Sequence, residues 1–146
     1  MAGANVTFEI KDEAVRAHLQ GLVNRVENPT PLMKIFGAVV TRSVQKNFEV
    51  GGRPSKWEPS ARAIATGGKT LIIQGWAGGL LGSINYQASR DEVKIGTPKI
   101  YGAVHQFGYK TNNIPARPYL LIQDEDWETM IRKAEQWLTQ AEGGTV

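Results

Sequence analysis

Between Pro31 and Gly51 the apolar residues return at every fourth position: Leu32, Phe36, Val40, Val44 and Phe48. Ile35 and Val39 widen the same stripe. A period this close to that of an α-helix commits the segment to one long helix with a single buried face. Thr30 suits its cap and Pro31 its first turn, where a missing N–H costs nothing. Gly51-Gly52 ends it, because glycine enters the left-handed conformation freely. So long an apolar face needs a partner of comparable length, and the rest of the chain must supply one.

The last stretch does. Trp127, Met130, Ile131, Ala134, Trp137, Leu138 and Ala141 keep three–four spacing, and Asp124 or Asp126 opens the helix with acids at the positive end of its dipole. Trp127 and Trp137 are expected to pack on the 32–48 helix. A further helix follows Asp12, with Val15, Leu19, Leu22, Val23 and Val26 on one side and His18 flanking it. Strand signals are shorter. Val6, Phe8 and Ile10 alternate with polar residues. Ile84, Tyr86 and Ala88, turned by Arg90-Asp91, return through Val93 and Ile95 as an antiparallel hairpin. Tyr101 to Phe107 reads as a short helix stopped by Gly108, and Tyr109 to Asn113 as a flexible tip. Ile114 to Pro118 is extended, since each proline biases its predecessor away from helix, and Tyr119 to Ile122 continues as a strand. The fold class is therefore α+β: a small antiparallel sheet packed against two long helices, in one domain over 1–146.

Residues 49–82 are the least regular. They hold eight of the chain's sixteen glycines, yet also Trp57, Leu71, Ile72, Ile73, Trp76, Leu80 and Leu81. Ser60 can cap a two-turn helix, Ala61 to Thr66, closed by Gly67-Gly68. The remainder is expected to be an extended glycine-rich arm ordered mainly by neighbouring subunits, because ordering glycine costs the most backbone entropy.

Chemistry is scarce. The 146 residues include no cysteine and two histidines, which excludes disulfide scaffolds, zinc ribbons and thiol nucleophiles. GxSxG, HExxH, GxxxxGK[ST] and GxGxxG are all absent. His105 is the one plausible base, and nothing around it forms a catalytic signature. No enzyme, metal or cofactor is expected, and neither a signal peptide nor a membrane span is recognisable. Charge is segregated: seven basic residues against two acids between Lys34 and Lys69, and four acids with no base from Asp124 to Glu128. Head-to-tail contact between copies fits this, and so does a small nucleic-acid-binding protein using the basic 34–69 region, with Trp57 as its stacking aromatic.

Three motifs occur in order: Phe48-Glu49-Val50-Gly51-Gly52-Arg53-Pro54-Ser55-Lys56-Trp57-Glu58-Pro59, Tyr101-Gly102-Ala103-Val104-His105-Gln106-Phe107-Gly108 and Ile114-Pro115-Ala116-Arg117-Pro118-Tyr119-Leu120. Together they resemble the phage virion morphogenesis family, the Mu-like tail completion proteins of tailed phages and prophages, over roughly residues 30 to 140. Before the hairpin the family has a D-[ST]-G-x-L-x-x-S-I pattern. Here Gln74 to Ile84 keeps Leu80-x-x-Ser83-Ile84 but replaces the acid and adds glycines.

The resemblance implies a structural virion protein of the neck or tail, acting in tail completion or head–tail joining as a homo-oligomeric ring. It implies tail terminator, tail tube or neck connector proteins as partners, weak contact with DNA in the lumen, and a location in the virion after assembly in the host cytoplasm. Arg53, Trp57, Trp76, His105, Phe107, Arg117 and Tyr119 are the expected interaction or structural residues. Phe107 is expected to be buried. Arg117, held between two prolines, suits a carboxylate within the chain or on a neighbour.

Overall fold

The computed structural model describes residues 13–72 and 79–143. The expected strand at Val6–Ile10, the Asp12 cap and Trp76 lie outside them.

Helix α1 is Glu13–Glu27 and α2 is Thr30–Val50. Two short helices follow, α3 at Ala61–Thr66 and α4 at Gly79–Ser83. The hairpin pairs β1, Asn85–Ala88, with β2, Val93–Gly96, in antiparallel register with Tyr86 opposite Ile95. Then come α5, Gly102–Phe107, one 3₁₀ turn at Lys110–Asn112, and α6, Asp124–Gly143. The α+β architecture is the expected one.

The stripe on α2 explains the arrangement. Val40, Val44 and Phe48 are buried in one cluster with Trp57, Leu80, Leu81, Ile84, Tyr119 and Met130. The hairpin and α6 both pack on α2, and α1 packs on α6. Gly37 marks where the hairpin crosses: a Cβ there would lie 2.3 Å from the Tyr86 ring. Leucine-, valine- and aromatic-rich surface removed from water in this way supplies about 1.5–3 kcal/mol per large side chain.

Segment 49–82 departs from the expected arm. Trp57, Ala63, Leu80 and Leu81 are buried within their own subunit, and α3 forms with Ser60 Oγ accepting from the Ala63 N–H at 3.1 Å. The described parts of the segment thus contribute to the core of their own subunit.

Three expectations on α6 and its approach are corrected. Trp127 is 54% exposed, not packed on α2. The inward arc of α6 instead carries Asp126, Met130 and Trp137, and the Arg25 guanidinium of α1 lies 5.3 Å from the Trp137 ring centre. Trp127, one step around the helix from Asp126, turns away. Tyr119 to Ile122 is not a strand. Its Tyr119 and Leu120 amides both donate to Gln106 Oε1, and the Leu121 N–H bonds back to the Tyr119 carbonyl, so no ladder can form. Last, the helix start at α2 is held by Pro29, whose carbonyl accepts from the Met33 N–H, with Thr30 already inside the helix.

Candidate functional site

Each of the three motifs makes a joint, and the joints meet around the C-terminal end of α2.

At the first, the α2 helix ends and Gly51 and Gly52 both donate to the Asn47 carbonyl. Gly52 has φ +108° and a Cβ there would sit 2.7 Å from Trp57, so glycine is required on both counts. This turn throws Arg53 back along α2. Its Nε donates to Asn47 Oδ1 at 2.8 Å, its Nη2 to the Ser43 carbonyl at 2.8 Å and hydroxyl at 2.6 Å, and its Nη1 to Glu125. Ser43 in turn donates to Asp126 Oδ2 at 2.6 Å. The same carboxylate accepts the Gln123 N–H at 2.8 Å, reaching back from the third residue of α6 to cap it. The guanidinium thus ties α2 to the start of α6, the bidentate use for which arginine is suited.

At the second joint, Trp57 lies edge-on to Phe48, with ring centres 5.7 Å apart, and its indole N–H donates to the Pro118 carbonyl at 3.0 Å. Asn47, fully buried, donates to the Tyr119 carbonyl at 2.8 Å. Tyr119 closes the set: its hydroxyl donates to the Gly102 carbonyl at 2.8 Å. Burial pushes its phenol above the ordinary range.

The third joint holds α5 against the proline-rich segment. Arg117 N–H donates to the His105 carbonyl at 2.7 Å, and Arg117 Nε to the Glu58 carbonyl at 2.7 Å. Among the described residues no carboxylate partners it. Arg117 is only 6% exposed, and among the described residues its remaining guanidinium N–H groups have no partner. His105 is half-buried, edge-on to Tyr101, with its Nδ1 buried and unpartnered. Burial, and then the positive charge of Arg117, lower its pKa below 6.5. Both face a cavity of about 460 Å³ that Arg62, Leu71, Leu80 and Tyr101 also line.

The structure brings Arg53, Trp57, Arg117 and Tyr119 into one framework. Phe107 is not part of it. At 78% exposed it points into solvent, because α5 turns Gly102 and Gln106 inward, and Phe107 is one step further round. Asn47 and Ser43 were missed in the sequence, whereas Asp126 is one of the two acids expected to open α6 and Gln106 lies in the second motif. Ser43 and Asn47 carry a signal in hindsight: polar residues one turn apart on the arc that also bears Val40, Val44 and Phe48. Among the described residues no three His, Asp or Glu side chains converge as metal ligands.

The model of the phage virion morphogenesis family matches residues 10–139. The chain is also similar to Mu-like prophage FluMu G protein 2 of Haemophilus influenzae, 32% identical over 131 residues that cover 83% of this chain and 87% of that protein. No solved structure matches it.

Proposed function

The chain belongs to the phage virion morphogenesis family, and from that premise we propose that it acts in tail completion or head–tail joining, as an oligomeric ring in the neck, without catalysis. Membership gives the role in virion morphogenesis; the finer reading is supported by how the motifs are used. The side chains of Arg53, Trp57, Gln106 and Tyr119 are spent on internal joints, while the same short elements hold large apolar side chains in water: Phe107, 78% exposed, and Ile100, 95% exposed just before α5. Rigid elements that present apolar groups outward suit contact with other proteins. The partners this reading names are the tail tube or terminator, the neck connector and further copies of the chain, with weak contact to lumen DNA. No helix among the described residues is long and apolar enough to cross a membrane.

A nucleic-acid-binding role for 34–69 has less support. Trp57, its stacking aromatic, is buried, and Arg53, Lys56 and Arg62 are turned onto carbonyls of their own chain. Tight, strongly salt-dependent DNA binding by the isolated protein would favour it.

The test is deletion of the gene from a phage or inducible prophage that encodes it, followed by electron microscopy. Separate heads and tails, rescued by the wild-type chain in trans, are expected. Joined, infectious particles made without it would overturn the reading.

A further inference from the structure

We infer that the cavity beside α5 receives the outward face of α6 from a second copy of the chain, in a head-to-tail contact. The inference rests on the assembly reading above and names its surfaces.

The cavity asks for an anion on an apolar body. Arg117 is 6% exposed, and among the described residues its side chain is partnered only by a neutral carbonyl, that of Glu58. Its guanidinium lines the cavity, where a carboxylate of a second copy would give it the bidentate partner for which arginine is suited. His105 Nδ1 is buried with no partner beside it, and Arg62 adds a second cation at the wall. Leu71, Leu80 and Tyr101 make the rest of the lining. At about 460 Å³ the space exceeds a lone carboxylate and falls within the ~300–1,000 Å³ of side-chain- and ligand-sized pockets.

The chain carries a matching body. Asp124, Trp127, Glu128 and Ile131 follow the i, i+3, i+4, i+7 spacing, so they share one face of α6, and all four are exposed. The carboxylates of Asp124 and Glu128 have no partner among the described residues. A solvent-facing helix surface ordinarily turns its polar residues outward; this one sets a tryptophan and an isoleucine between two acids. Helix α6 packs on α2 and α1, whereas the cavity is built from α3, α4, α5 and Arg117. Among the described residues no residue of α6 lines the cavity, so a contact between the two surfaces lies between copies. Because they differ, the contact is heterologous and repeats from copy to copy, closing into a ring where the rotation permits.

Sedimentation velocity tests this with two variants. The first carries Asp124→Lys, Trp127→Ala and Glu128→Lys. The second carries Tyr101→Glu, which places an acid at the cavity rim on a residue whose side chain makes no capping bond to α5. Wild type is expected to self-associate, each variant to be monomeric, and their equimolar mixture to form dimers and nothing larger, since one supplies an intact cavity and the other an intact helix face. A monomeric wild type overturns the inference. So does association of the α6 variant equal to wild type, or a mixture of folded variants that stays monomeric.

Should Tyr101→Glu not fold, cysteine pairing decides, because the chain has no cysteine of its own. Tyr101→Cys with Trp127→Cys in one chain should give a covalent ladder on oxidation, and no ladder overturns the contact. Virions that hold the protein and join normally with the α6 variant remove this contact while leaving the proposed function standing. A protein absent from virions removes the function as well.

Discussion

Replacing Arg53 by alanine tests the joint between α2 and α6. The substitution deletes the bonds to Asn47 Oδ1, the Ser43 carbonyl and hydroxyl, and Glu125. Asn47 is fully buried, so its Oδ1 loses its partner where water cannot replace it. Ser43, which donates to the buried Asp126, loses the guanidinium that donates to its own hydroxyl. A buried acceptor left unmet costs ~1–3 kcal/mol, and breaking a buried charged network costs ~3–5 kcal/mol. We therefore expect about 3–5 kcal/mol, a large part of the ~5–15 kcal/mol available to a domain. Arg53→Lys should recover only part, since one ammonium cannot span Asn47 and Ser43 at once. The control is Glu125→Gln: the Glu125 side chain is 62% exposed, and such an ion pair is worth within about 1 kcal/mol. Urea denaturation read by linear extrapolation, with an unchanged slope, measures all three. A cost below about 1 kcal/mol for Arg53→Ala, or one for Glu125→Gln as large as that for Arg53→Ala, would refute the reasoning.

Three further outcomes are expected. Trp137→Ala should cost ~3–5 kcal/mol in chemical denaturation, whereas the exposed Trp127→Ala should stay within about 0.5 kcal/mol; equal costs would place the inward arc of α6 wrongly. Gly37→Ala should lose ~1–3 kcal/mol, because its Cβ would meet the Tyr86 ring in a packed crossing; an unchanged melting point would mean that the hairpin does not cross there. His105 has its folded pKa lowered, so protonation favours the unfolded chain and the stability it contributes is present above 6.5 and lost as pH falls below that value towards its folded pKa. Melting curves of His105→Gln should therefore fall less steeply than wild type between about pH 7 and 5, and parallel curves would count against the burial of this imidazole.

Local signals carried most of the fold. The α2 stripe, the Ser60 cap of α3, the hairpin alternation and the acids opening α6 each state their element within a few residues, and each element formed. What the sequence could not show depends on contacts between distant segments. Six residues of α5 are too few for periodicity to separate Gln106 from Phe107, so the apolar one was expected inside; the amides of Tyr119 and Leu120 reverse that choice by using the glutamine. On α6 a broad apolar stripe hid which arc faces inward, and the buried acid Asp126, held by Ser43 and Gln123, fixes it. The glycines of 49–82 suggested an arm, and the burial of Trp57, Leu80 and Leu81 with Phe48 and Tyr119 is visible only in three dimensions. Arg117 was singled out for its proline-fixed direction, while its bond to the Glu58 carbonyl, with no carboxylate partner among the described residues, is visible only in three dimensions.

Cryo-electron microscopy of the head–tail junction, in a phage that encodes this chain, tests the central claim most directly. The account expects a ring of copies between head and tail, with the α6 face of Asp124, Trp127, Glu128 and Ile131 in each copy seated on Arg117 and His105 of the next. A junction that lacks the protein, or copies of it that touch only other proteins and never one another, would contradict it.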